Sequence, residues 1–176
     1  LIVAQLMDRL CSGARVVFLS SGTQLPEHKL ARRFGIPVPN WLGARRLAQP
    51  ELAAEEDRLI NLQQAYSTSK LGNVIQARAF QARLTDRDVD VFAVDPGLMP
   101  STNLARDLPA LVRILARPLM LAAVPFVDGM RWVSTSANHL QSLCFDPQWK
   151  GLGFSYHDGN VPWAASSDGK KHETAK

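Results

Sequence analysis

Tyr66 and Lys70 stand four residues apart in the segment Tyr66-Ser67-Thr68-Ser69-Lys70, a spacing that puts a phenol and an ammonium on one face of a helix. An ammonium beside a phenol favours its ionised form, as a general acid/base requires. By itself the pair is a weak signal, because short matches of this kind abound across many proteins. Two other groups add context. Ser20-Ser21 closes the apolar run Ala14 to Leu19, where a hydroxyl can hydrogen-bond a substrate carbonyl and stabilise developing oxyanion charge. Asp95-Pro96-Gly97 closes a second apolar run, where glycine admits a ligand close to the backbone. The bland alternatives are a pair of turn-capping serines and an ordinary strand-ending turn.

The elements that must position these groups are readable from pattern. Ala14 to Leu19 is β-branched and aromatic and ends in small polar residues, which predicts a buried central strand. Thr23 to Asp57 holds Pro26, Pro37, Pro39 and Pro50 with little periodicity, so a long excursion is expected, with one short helix near Pro50 to Asp57. From Leu59 to Leu84 there is no proline, and Leu62, Ala65, Tyr66, Leu71, Val74, Ile75, Ala79 and Phe80 recur largely at helical spacing, which predicts one long helix. Val89 to Val94 then forms a second strand. Strand, helix and strand make a βαβ unit with parallel strands and a right-handed crossover. All three candidate groups then meet at the edge where open α/β sheets bind ligands. Downstream, a helix over Phe126 to Asn138 and a short final strand over Gly151 to Tyr156 are expected, followed by a frayed polar tail over about 163–176.

Composition narrows the classes. The 176 residues carry 46% hydrophobic and 20% charged residues, ordinary for a globular protein of one domain. The net charge of +4 is dispersed over short pairs such as Arg32-Arg33, Arg45-Arg46 and Lys170-Lys171 without interleaved aromatics, which argues against nucleic acid as partner. Cys11 and Cys144 fall in no metal-ligand spacing and cannot staple a fold, so a reducing, cytoplasmic setting and no metal are expected. His28, His139, His157 and His172 are scattered. The opening LIVAQLMDRL is interrupted by Asp8 and Arg9 and reads as the end of a buried helix rather than a signal peptide. Leu108 to Val127 is long and apolar but contains Pro109, Pro118, Pro125, Arg113 and Arg117, which suits core packing, a pocket lid or a membrane-surface contact better than a transmembrane helix.

The order strand-Ser-Ser, then Tyr66-x-x-x-Lys70 opening a helix, then strand-Pro96-Gly97, resembles the short-chain dehydrogenase/reductase family over nearly the whole chain. The stretches VVFLSSGT, AYSTSKLGNVIQARAF and VDPGLMPSTNLARD are most similar to its retinol-dehydrogenase-like, WW-domain-oxidoreductase-like and protochlorophyllide-reductase-like branch. The resemblance implies an α/β fold, a partial Rossmann-like doubly wound parallel sheet corresponding to the C-terminal half of such a domain. It implies an NAD(P)-dependent oxidoreductase interconverting an alcohol and a carbonyl on a fairly apolar small molecule, with NADP preferred over NAD. Tyr66 would exchange the proton at the substrate oxygen, Lys70 would bind the nicotinamide ribose and assist Tyr66, and Ser21 would orient the carbonyl. Pro96, Gly97 and the backbone of Leu98 would meet the cofactor, and Thr102, with Ser101 as rival, would hold its carboxamide. The substrate pocket wall would include Leu98, Met99, Leu104 and the segment Leu111 to Leu121. A homodimer through the Tyr66 helix is a further implication.

Departures from the family pattern matter too. No glycine-rich TGxxxGxG stretch occurs in the sequence, nor the NNAG-type strand end that follows it in the family. The chain is therefore expected to be one incomplete domain over 1–176, lacking most of the dinucleotide site and inactive alone. The alternative reading is a non-catalytic remnant or interaction module whose Tyr–Lys helix merely packs.

Overall fold

The computed structural model describes residues 2–49, 58–102, 110–159 and 161–163. Its centre is a mixed α/β arrangement with a three-stranded parallel sheet. Strand β1 (Ala14–Leu19) pairs in parallel with β2 (Val89–Asp95), and β2 with β3 (Phe154–Asp158). A fourth strand, β4 (Val161–Trp163), adds antiparallel to β3. The order β1-β2-β3-β4 leaves the outer edge of β1 without a partner strand among the described residues.

Strand β2 shows why the sheet is sandwiched. All seven of its residues are buried, and alternate side chains of a strand go to opposite faces. Val91 and Ala93 pack with Ala77 of the long helix Arg58–Arg83 and with Leu84 just after its end, whereas Phe92 and Val94 pack with Leu143 of the helix Val133–Phe145. Helices thus cover both faces, and the apolar run Val91 to Val94 of β2 is what a doubly covered parallel strand needs. Polar groups lock the layers. Gln81 donates from Nε2 to the Val89 carbonyl at 3.1 Å and accepts from the Val91 N–H at 2.9 Å. The buried Asp90 carboxylate accepts from the N–H groups of Gly151 at 2.9 Å and Gly153 at 2.8 Å, holding the loop that enters β3.

In chain order the helices are α1 (Ile2–Leu6), α2 (Lys29–Arg33), α3 (Ala44–Ala48), α4 (Arg58–Arg83), α5 (Ala110–Ala123) and α6 (Val133–Phe145). The opening segment is helical as expected, but none of the residues of α1 is buried; Met7 and Leu10, just after it, supply the packing against the core. The excursion after β1 carries two short helices, α2 and α3, where none was expected, and the helix expected near Pro50 to Asp57 lies outside the described residues. The excursion lies against α4 at Gly72, where an added Cβ would come within 3.1 Å of Leu47 and 3.2 Å of Trp41. The Asn40 N–H also donates to Thr68 Oγ1 at 3.0 Å.

Downstream the expectations need correction. The helix expected over Phe126 to Asn138 begins only at Val133. The residues before it form a turn through Gly129, whose φ of +88° suits glycine, and the Gly129 carbonyl accepts from the Leu98 N–H at 2.8 Å. A separate helix, α5, occupies 110–123 and runs through Pro118. The strand expected to be last, β3, is followed by β4. Among the described residues no helix is long and apolar enough to cross a membrane.

Candidate active site

Tyr66, Lys70 and Asn73 lie at i, i+4 and i+7 of α4, one face of the helix, and that face meets the C-terminal end of β1. Lys70 Nζ lies 5.5 Å from the centroid of the Tyr66 ring and donates to the Leu19 carbonyl at 3.4 Å. Asn73 Nδ2 donates to the same carbonyl at 2.8 Å. The last carbonyl of the strand therefore fixes the ammonium beside the phenol. An ammonium has three donors, so Lys70 keeps capacity for another acceptor. Tyr66 is 48% exposed, which leaves its ring open to a partner in solution.

The two serines have different duties. Ser20 is buried, and its hydroxyl donates to the Lys70 carbonyl at 2.9 Å, tying the strand end to α4. Ser21 is half-buried; its Oγ accepts from the Thr23 N–H at 3.4 Å and caps the short 3-10 turn Gly22–Gln24. That bond uses Ser21 as an acceptor, so the hydroxyl proton is still available to donate. The turn-capping reading and the oxyanion reading are thus compatible in this residue.

Pro96 and Gly97 follow the end of β2, and the register Leu19 opposite Val94 sets them beside Ser20-Ser21, about one strand spacing of ~4.8 Å away. Asp95 Oδ1 accepts from the Gly97 N–H at 2.9 Å, and Ser136 donates to the Pro96 carbonyl at 2.6 Å. Gly97 has φ +77°, and a Cβ there would lie 3.0 Å from the Arg131 side chain, so the position needs glycine on two counts. Leu98 behaves differently from expectation. Its N–H donates to Gly129 and its carbonyl accepts from the Arg131 N–H at 2.9 Å, so its backbone is engaged with the 129–131 turn through the bridge to Met130. Thr102 is exposed and donates to the Met99 carbonyl at 2.8 Å. The Ser101 carbonyl accepts from Arg117.

On the α6 side of this edge is a cavity of about 240 Å³, lined among others by Leu19, Pro96, Met99, Arg131, His139 and Leu140. Tyr66, Lys70, Ser21 and Thr102 do not line it. Among the described residues of the expected pocket wall only Met99 does; Leu104 lies outside the described residues, and Ile114, Leu115 and Leu119 of α5 face outward. Leu19 joins the two regions: its carbonyl holds Lys70 and Asn73, and the residue borders the cavity.

Three residues beyond those expected shape the site. Asn73 was accessible from helical spacing, since it stands one turn beyond Lys70. Arg131 donates to the Asp95 carbonyl at 2.9 Å and to Asp158 Oδ1 at 2.6 Å, and His28 Nε2 is 4.0 Å from Asp95 Oδ2; no local pattern marks either. Tyr156 is buried under this cluster, and burial, followed by the nearby Asp95 charge, pushes its hydroxyl well above the ordinary tyrosine range.

A nicotinamide cofactor can be tested against these residues. The free donors of Lys70 suit ribose hydroxyls, and the largely apolar cavity admits a flat ring, but it is smaller than the ~300 Å³ at which pockets for whole small molecules begin. No glycine-rich turn before a helix is present in the sequence to cradle a pyrophosphate. The residues present thus offer donors and an apolar hollow but no cradle for a pyrophosphate. Among the described residues no cluster of three or more His, Cys, Asp or Glu could hold a metal ion. Compared with models of known protein families the chain matches none, and the search of curated proteins finds no significant match.

Proposed function

We propose that this chain carries the proton-transfer edge of an NAD(P)-dependent oxidoreductase that interconverts an alcohol and a carbonyl on a fairly apolar small molecule. In this reading the parallel sheet is the C-terminal half of a Rossmann-like domain of the short-chain dehydrogenase/reductase kind. The observation that supports it best is the Lys70 ammonium held 5.5 Å from the Tyr66 ring by the terminal carbonyl of β1.

In the reductive direction the Tyr66 hydroxyl donates its proton to the substrate oxygen, and the adjacent Lys70 charge stabilises the phenolate left behind. In the oxidative direction the phenolate takes the proton from the alcohol. Ser21 donates a hydrogen bond to the substrate oxygen, keeping its own proton, and steadies charge as it develops there. Asn73 holds the Leu19 carbonyl that positions Lys70. The nicotinamide, when bound, supplies or accepts the hydride. The test is turnover of the full-length protein with a panel of alcohols and carbonyls, followed through the nicotinamide absorbance. Tyr66→Phe is expected to cut the rate about 10²- to 10⁴-fold, the range of general acid–base catalysis. Turnover unchanged in this variant rejects the role.

A second reading, an interaction module, is favoured by the edge of β1 that has no partner strand among the described residues and by exposed Leu59, Ile60 and Leu62 at the start of α4. Its mark is self-association that Leu62→Asp abolishes, together with indifference of any activity to Tyr66→Phe.

A further inference from the structure

Helix α5 is turned the opposite way from a helix that covers a core. Ile114, Leu115 and Leu119 are 66%, 67% and 74% exposed, whereas Ala116, Met120 and Ala123 are half-buried and Val124 is buried. At about 100° per residue, Ile114, Leu115, Pro118, Leu119 and Ala122 fall within one sector of roughly 140°, and all five are exposed. Phe126, 86% exposed in the turn that follows, continues the apolar surface. Arg117 is exposed outside that sector, at its flank, and donates to the Ser101 carbonyl at 3.4 Å. The sequence from Ala110 to Phe145 holds three arginines and a single acidic residue, Asp128.

We propose that this face docks on an anionic lipid surface, with α5 lying in the plane of the bilayer interface. Ile114, Leu115, Leu119 and Phe126 enter the acyl boundary, and Arg117 reaches lipid phosphates from the flank. A helix of 14 residues is about 21 Å long, too short for the ~30 Å hydrocarbon core, so it lies on the membrane rather than crossing it. An outward apolar sector with an arginine at its margin is the arrangement of an interfacial helix, whose binding combines apolar burial with attraction to anionic headgroups. The charge selects this occupant over a second copy of the chain. Self-association through the face would bring together two segments poor in carboxylates and carrying the same positive sign.

Flotation of the full chain with phosphatidylcholine vesicles, with and without phosphatidylserine, tests the proposal. Protein should float with the mixed vesicles and much less with pure phosphatidylcholine. Leu115→Asp combined with Leu119→Asp should reduce the bound fraction by about 10-fold or more, and Arg117→Glu should weaken binding only to the anionic vesicles. Circular dichroism reports whether each variant folds, and Phe126→Ser, outside the helix, gives a second route to the same loss. Protein that stays in the soluble fraction with anionic vesicles overturns the proposal. Flotation that all these variants leave unchanged, or a soluble dimer that they dissociate in place of vesicle binding, overturns it as well.

Discussion

Acidification should loosen this protein through His157 before its carboxylates titrate in full. His157 in β3 has no exposed surface, and its ring lies 5.5 Å from Phe92, 5.1 Å from Trp149 and 5.5 Å from His139, centroid to centroid. Nε2 is 2.8 Å from Ser155 Oγ, while Nδ1 is buried with no hydrogen-bond partner among the described residues. A neutral ring tolerates this, but an imidazolium would carry two donors with one acceptor in apolar surroundings. Burial therefore pushes His157 down to about 4, with the adjacent His139 acting in the same direction. The unfolded chain takes up this proton near pH ~6.5. Stability is thus fully present above about 6.5 and is lost as pH falls from there through about 4, because the unfolded state binds more protons in that window. At about 1.4 kcal/mol per pH unit, His157 alone removes about 3 kcal/mol, a large share of the ~5–15 kcal/mol typical of a domain. His139, lowered by burial and then by the Arg131 charge, adds loss of the same sign. Urea unfolding at several pH values, read by tryptophan fluorescence, gives the slope, and His157→Phe should flatten it while His139 and the carboxylates keep their part. An equal slope in the variant, or an NMR titration of His157 near its unperturbed value, refutes the reasoning.

Other expectations follow from packing and backbone geometry. Phe92→Ala empties a fully buried site between β2 and α6 and should cost about 3–5 kcal/mol, seen as a lower urea midpoint with the slope of the transition unchanged. Asp90→Ala leaves the Gly151 and Gly153 N–H groups without their carboxylate and should cost about 2–4 kcal/mol in the same assay. Gly97→Ala places a Cβ against Arg131 at positive φ and should cost about 1–3 kcal/mol. In an active full-length protein it should lower turnover more than it lowers stability, since the loop it distorts adjoins the strand end that holds Lys70.

The parts of this structure legible in the sequence are those whose signals are local. Helix α4 is free of proline and periodic in its apolar residues, and its expected bounds differ from the observed ones by a single residue at each end. Strand β2 announces itself by the apolar run Val91 to Val94, because helices bury it on both faces. Expectation fails where distant contacts decide. Phe126, Val127 and Trp132 imitate a helix start, yet the Leu98 N–H is satisfied by Gly129 and the Leu98 carbonyl by Arg131, so the chain turns there. Pro118 tells only against a transmembrane helix, and a shorter one, α5, runs through it. In the site, Tyr66, Lys70 and the serines are visible because residue type and spacing carry them. Arg131 and His28 reach Asp95 across loops of unrelated sequence and leave no local trace, and Leu98 loses its expected freedom to a bridge that only the tertiary fold reveals.

The arrangement around Leu19 explains why a phenol on a helix and an apolar hollow on the other side of a sheet belong to one reading. A strand end is a boundary between a ladder that satisfies backbone groups and a rim that leaves some unsatisfied. At Leu19 the free carbonyl takes Lys70 and Asn73 as its donors, so the polar half of the site costs no additional buried group. The same residue borders the cavity, so the hollow and the polar rim share one strand residue. Removing the shorter of the two bonds to the Leu19 carbonyl with Asn73→Leu should therefore loosen the strand end on which Lys70 rests without emptying the hollow, a separation of reaction rate from apolar binding that a merely structural strand end would not show.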